Sequence, residues 1–148
     1  MFHFTGVCYY VMRTNSYNLI RKSQATGLWS TKLATSWLLT KAFNSGKTVV
    51  LFFAVVQSGA FEGYAVMKSP PGPLNPRYNT RLRGPATTRL SEPFQVEWRC
   101  KKHIDNRLLA SIRRRSNNQP ATQTDDGGVI DDYAGRRMVE AMDSLPQN

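Results

Sequence analysis

Residues 49–67 limit what this chain can fold into more than any other stretch. Val49-Val50-Leu51-Phe52-Phe53-Ala54-Val55-Val56 is an unbroken apolar run of eight residues, followed by Gln57-Ser58-Gly59 and then by Ala60-Phe61-Glu62-Gly63-Tyr64-Ala65-Val66-Met67. β-branched and aromatic residues favour pleated backbone, and eight residues are too few to cross a bilayer as a helix. The pair reads as a hairpin, Lys47 to Gln57 and Phe61 to Lys68, closed at Ser58-Gly59. Strands of this length and apolar density belong in the middle of a sheet. Together with the helical segments around them they give an α/β (α+β) class.

Helical and strand periods elsewhere fill in the order of elements. Val7 to Met12 is β-branched and aromatic and reads as a first strand ending at the polar cluster Arg13-Thr14-Asn15-Ser16, which can also cap a helix. Tyr17 to Ala25 carries Tyr17, Ile20 and Gln24 on one side and Arg21 and Lys22 on another, with Gly27 as its stop. Leu33 to Asn44 repeats apolar residues at 33, 34, 37, 38, 42 and 43, which predicts an amphipathic helix with Trp37 in the core. Phe94, Val96, Trp98 and Cys100 alternate on one face of a further strand, which puts Trp98 in the core, and another strand is expected around Leu108 to Ile112. Asp131 to Leu145 reads as a last helix with acidic residues at its N-terminus, where the helix dipole favours them.

The chain of 148 residues is expected to be one domain, with a core over about 7–145 and a long Pro, Gly, Arg and Thr-rich loop at 69–93. Its charge is unevenly placed. Residues 1–61 hold six Lys or Arg and no carboxylate, residues 1–120 hold 18 basic and 4 acidic side chains, and residues 121–148 hold 2 basic and 6 acidic. A basic body followed by an acidic tail points to a polyanionic partner, because neutralising phosphates releases counterions. Cys8 and Cys100 are far apart and are read as reduced thiols of a cytoplasmic or nuclear protein. No membrane segment is predicted, and the domain is expected to be a monomer.

Catalytic and metal-binding patterns are weak. Gly46-Lys47-Thr48 lacks the first glycine of a phosphate loop, since position 41 is lysine, and it precedes a strand instead of following one. His3 and His103 have no Cys or acidic cluster at metal-ligand spacing, and no nucleophile-base arrangement can be assembled. Neither an enzyme nor a cofactor is expected. What remains is Trp29 in the polar loop Gly27-Leu28-Trp29-Ser30-Thr31, where a core tryptophan would be out of place, together with Tyr78 in the basic loop. Exposed rings that stack on bases, with cations along the backbone, are the usual equipment for single-stranded RNA.

These segments resemble the YTH domain, the family that reads N6-methyladenosine in RNA. Arg13-Thr14-Asn15, Gly27-Leu28-Trp29-Ser30-Thr31, Ser58-Gly59-Ala60-Phe61-Glu62-Gly63-Tyr64-Ala65 and Phe94-Gln95-Val96-Glu97-Trp98 occur in the family's order over most of the chain. The resemblance implies a YTH/PUA-like fold, a curved, barrel-like β-sheet packed by helices, and an aromatic cage for the methylated base. It implies Trp29 as the first cage wall, Tyr78 as the second, where the family usually has tryptophan, and Leu90 as the third. Base-edge contacts fall on Thr14, Asn15, Ser30 and Asn18, and the phosphate contact on Arg13, with Arg77, Arg81, Arg83, Arg113, Arg114 and Arg115 as further cations.

Two positions depart from the family pattern. Leu19 stands ten residues before Trp29, where the family has Asn or Asp for the adenine ring, and Asp125-Asp126 stands where it has an Arg-Asp pair. The resemblance implies single-stranded RNA containing N6-methyladenosine as the partner. The alternatives are a YTH-like domain that reads unmodified RNA through a basic face and a protein-interaction module whose basic surface docks an acidic partner.

Overall fold

The computed structural model describes residues 6–72 and 89–146. The first strand, β1 (Val7–Thr14), leads through helix α1 (Tyr17–Thr26) and a two-residue strand β2 (Leu28–Trp29) to helix α2 (Leu33–Asn44). The hairpin β3 (Thr48–Val55) and β4 (Ala60–Met67) follows, then β5 (Phe94–Cys100), β6 (Ile104–Asp105), two short 3₁₀ turns, β7 (Val129–Ile130) and helix α3 (Asp132–Ser144). The strands lie in the order β2-β5-β4-β3-β1-β7, with β6 also paired to β4. The three helices and the long strands fall where they are expected, but Leu108 to Ile112 forms no strand, and β2, β6 and β7 are two-residue strands that the sequence reading does not contain. Asn106–Leu109 is a 3₁₀ turn capped by the Asp105 carboxylate, and Leu108 is exposed.

The period of two separates two cores. On β1 and β3, Tyr9, Val11, Val50, Phe52 and Ala54 face one way and meet Ala134, Met138 and Met142 of α3. Tyr10, Met12, Leu51, Phe53 and Val55 face the other way, where Ile20 of α1 and Leu39 of α2 cover them. β1 runs parallel to β3, a pairing that needs a crossover, and α1, β2 and α2 supply it. α3 lies close to β1 because position 135 is glycine: a Cβ there would sit 2.3 Å from the Tyr9 ring.

α2 corrects the sequence reading. Trp37 is 58% exposed and Leu38 is exposed too, while Ser36 and Leu39 are buried and Ala42 and Phe43 partly so. The helix is apolar around most of its circumference, so periodicity does not select a face. Ser36 can be buried because its hydroxyl donates to the Leu33 carbonyl at 2.6 Å. Trp98 is half-buried, its ring tilted by 33° against Phe53 with ring centroids 4.4 Å apart, and its indole N–H donates to Ser23 Oγ at 3.0 Å.

The acidic tail is built into the fold. Asp131 caps α3 by accepting from the Ala134 amide at 3.0 Å, and it accepts from the Arg115 amide at 2.8 Å. Asp143 accepts from the Tyr64 hydroxyl at 2.9 Å; burial and this carboxylate push the tyrosine hydroxyl well above its ordinary range. Gly63 sits at the shift of register between β3 and β4, with φ at 110°, and a Cβ there would fall 1.9 Å from the Cys100 carbonyl oxygen.

Gly63→Ala is therefore expected to lower unfolding free energy by about 3 kcal/mol or more, since it adds both a clash and a left-handed non-glycine residue; the urea midpoint reports it. Burial raises the Asp131 carboxyl pKa, but the main-chain hydrogen bonds it accepts from Ala134, Arg115 and its own amide, together with the Arg115 charge, outweigh burial and hold it below the usual carboxylate range. A depressed folded pKa stabilises above the unfolded value, about 3.9, and that contribution fades as pH falls through the folded value. Asp131→Ala should cost about 1 kcal/mol at neutral pH, and the gap to wild type should narrow in urea titrations carried down to about pH 2.

Candidate functional site

The first turn of the site is made by a glycine. α1 ends at Gly27, whose φ of 72° reverses the chain, and the Gly27 carbonyl accepts from the Val96 amide at 2.9 Å. The chain then pairs with β5, Leu28 opposite Gln95 and Trp29 opposite Phe94. Trp29 is thus held on a sheet edge and not on a free loop. It is 8% exposed, and its ring meets the Phe53 ring edge-to-face at 4.9 Å. The expectation of a loosely held, solvated ring is corrected here: the two strand hydrogen-bonding partners that a Gly-Leu-Trp segment finds in β5 draw the indole into the core, and only a small part of it remains open.

That part opens into a cleft of about 560 Å³ between α1, the end of β1 and the segment after β2. Leu28, Trp29, Val56, Leu90 and Pro93 give it apolar walls, and Thr14, Asn15, Ser30 and Thr31 give it a polar edge. Leu90 reaches the cleft because residues 89–91 are stitched antiparallel to residues 31–33. The Ser91 amide donates to the Thr31 carbonyl at 2.7 Å, the Leu33 amide donates to the Arg89 carbonyl at 2.7 Å, and Leu90 bridges Lys32. Its side chain remains 55% exposed.

The Trp29 Nε1–H is buried with no hydrogen-bond partner among the described residues. Leu19 lines the cleft and is 51% exposed, whereas Asn18 is exposed and lies outside the lining, its amide donating to the Ser16 hydroxyl at 3.1 Å. Arg13 lines the cleft as well, but its guanidinium is engaged. It donates to the Thr124 carbonyl at 2.9 Å and the Thr122 carbonyl at 2.8 Å, and it lies over the Phe61 ring. Burial lowers its pKa against the opposing pull of Asp125 and Asp126, and a guanidinium stays charged through such a shift. The Arg13 amide donates to Asp126 Oδ1 at 2.8 Å, and Asp126 pairs with Lys32 at 3.6 Å.

Two cations of the cleft, Lys22 and Lys32, were not among the sequence candidates. Lys22 could have been found: Leu19, Lys22, Ser23 and Thr26 follow the i, i+3, i+4, i+7 stripe of one helix face, and all four line the cleft. Arg113, Arg114 and Arg115 are not among the cleft residues. Arg113 donates to the Asn118 carbonyl at 2.8 Å, and the Arg115 guanidinium lies 4.2 Å from the centre of the Tyr133 ring. Tyr78, Arg77, Arg81 and Arg83 lie outside the described residues. His103 is 2.6 Å from the buried Glu62 carboxylate, and among the described residues no group of three His, Cys, Asp or Glu could hold a metal ion. No helix among them is long and apolar enough to cross a membrane.

Comparison with known proteins places this architecture. The profile of the YTH family, the YT521-B-like domain, matches residues 7–143. The YTH domain-containing protein ECT2 of Arabidopsis thaliana is 25% identical over 144 residues, covering 93% of this chain and 21% of ECT2. Methylated RNA-binding protein 1 of Saccharomyces cerevisiae is 30% identical over 122 residues, 80% of this chain and 39% of that protein. The chain thus spans about a fifth of the length of ECT2, 21%, and less than half of the yeast protein. The crystal structure of the Toxoplasma CPSF4 YTH domain with a 7-mer m6A-modified RNA superposes with a TM-score of 0.81 at 26% identity, covering 98% of this chain and 97% of that one. The matched span runs from the first residue of β1 into the last turn of α3 and so includes every element that builds the cleft; the chain belongs to the YTH domain family.

Proposed function

We propose that this domain reads N6-methyladenosine in single-stranded RNA, taking the methylated base into the cleft against Trp29. The observation that carries the reading is that Trp29 and Leu90, 61 residues apart in the chain, line one cleft whose other edge is the polar segment Thr14-Asn15 and Ser30. Solved YTH domains that share this fold include one bound to m6A-modified RNA. Tyr78 is proposed as the wall that completes the cage, and backbone groups of Asn15 and Ser30 as the contacts to the base edge.

The methyl group is neutral, so its selection rests on burial. Enclosing one methyl contributes about 0.8 kcal/mol, which amounts to only about fourfold. An unmethylated amine would instead put a second N–H against apolar walls without an acceptor, at about 1 to 3 kcal/mol. The two together give selectivity on the order of tens to several hundredfold. Stacking adds roughly 1 to 3 kcal/mol for either base and so contributes affinity without discrimination. Lys22 and Lys32 at the cleft, with the remaining surface cations, supply the part of the affinity that salt weakens. Arg13 is better suited to hold the 122–126 segment against the cleft than to meet a phosphate, because two carbonyls already occupy its guanidinium.

Leu19 keeps a second reading in play, that of an RNA binder indifferent to the methyl group. At the cleft this side chain offers no hydrogen bond to a ring nitrogen, so adenine itself is held less specifically.

Titration of a short RNA with one central N6-methyladenosine, and of its unmethylated twin, distinguishes the two readings. Methyl-dependent tightening that disappears in Trp29→Ala is the expected result; equal, salt-dependent binding of both RNAs would overturn the reader. Leu19→Asn is expected to tighten binding of the methylated RNA by about 5- to 10-fold, the value of one added hydrogen bond of about 1 kcal/mol or slightly more. Isothermal calorimetry measures that change directly.

A further inference from the structure

A second depression of about 460 Å³ adjoins the cleft and contains Leu33, Trp37, Thr40, Lys41, Pro71 and Glu92 in its walls. The two share the stitched segment as their divide: Lys32 and Leu90 line the cleft, while the next residues, Leu33 and Ser91, line the second depression. Trp37 is the most exposed of the three tryptophans. Its ring lies on the α2 face that also carries Lys41, one turn further on, and α2 contains no carboxylate. Thr40 and Glu92, which line the same depression, supply a hydroxyl and a carboxylate.

An exposed indole next to a lysine, on a segment of the chain that has no acidic residue before position 62, is suited to an anionic strand with aromatic bases. We infer that this groove is a second nucleotide site, in which a base flanking the one in the cleft stacks on Trp37 while Lys41 meets the backbone. The inference rests on the proposed role of the cleft and extends it: single-stranded RNA would be gripped at two adjoining places, with the methyl group read at only one. Glu92 would repel a phosphate directly beside it, so the backbone is expected on the Lys41 side of the ring and an exocyclic amine of the base on the Glu92 side, where a carboxylate can accept.

The experiment compares a trinucleotide and a heptanucleotide, each with one central N6-methyladenosine, on wild type, Trp29→Ala, Trp37→Ala and Trp37→Tyr. Because Trp37 is exposed, its substitution should leave the thermal midpoint unchanged, which is checked first. The heptanucleotide is expected to lose about 5- to 100-fold in affinity with Trp37→Ala, the range of one stacked base. The trinucleotide should lose far less, and Trp37→Tyr should recover most of the affinity. Dependence of both RNAs on Trp29 with indifference of the heptanucleotide to Trp37 would overturn the second site alone and leave that face to a protein partner. Indifference of both RNAs to Trp29 would overturn the cleft reading, and the second site with it.

Discussion

Strand β3 has to be covered on both faces, and the rest of the structure is arranged to do it. Seven of its eight residues are buried, and no single layer can bury a strand that is apolar on both sides. α3 closes one side through Met138 and Met142, and α1 and α2 close the other through Ile20 and Leu39. The parallel pairing of β1 with β3 makes the crossover compulsory, and it is the crossover that carries α1, the Gly27 reversal and Trp29. The helices that bury the strand are thus also the ones that build the cleft.

Backbone hydrogen bonding decides how rigid that cleft is. Trp29 lies in the shortest kind of strand, yet its main chain is paired with Phe94 and its ring is packed on Phe53. Leu90 is held opposite Lys32 by two main-chain hydrogen bonds between residues 89–91 and 31–33. A binding surface whose main chain is fixed in this way loses little backbone entropy on taking a ligand, which is the advantage of preorganisation. The cleft's opposite edge is fastened by the Arg13 guanidinium and amide, which hold residues 122–126 through two carbonyls and one carboxylate.

The charges divide between structure and surface in the same economical way. Asp126, Asp131 and Asp143 each accept a hydrogen bond from another part of the chain, so much of the acidic tail serves the fold. Among the cations lining the cleft, the Arg13 guanidinium is engaged by two carbonyls, while Lys22 and Lys32 are exposed, Lys32 pairing with Asp126 at 3.6 Å. The positive field toward solvent therefore survives folding, as an anionic partner requires.

The hairpin at 49–67, the three helices and the strand at 94–100 were legible in the sequence because their signals are local: apolar runs, a 3.6-residue period, and Gly27 and Asp131 at helix ends. The joining of Trp29 and Leu90 in one site was implied by family resemblance, and the main-chain stitching that brings it about exists only in three dimensions. The tertiary structure alone decided which tryptophan is buried. Trp29 lay in a polar segment and went into the core, because β5 offered it strand partners and Phe53 a ring. Trp37 lay on an apolar stripe and went to the surface, because α2 is apolar nearly all round and its packing on the sheet chose the face of Ser36 and Leu39. Periodicity reports how many apolar residues a helix has to hide, and the neighbouring elements determine which of them are hidden.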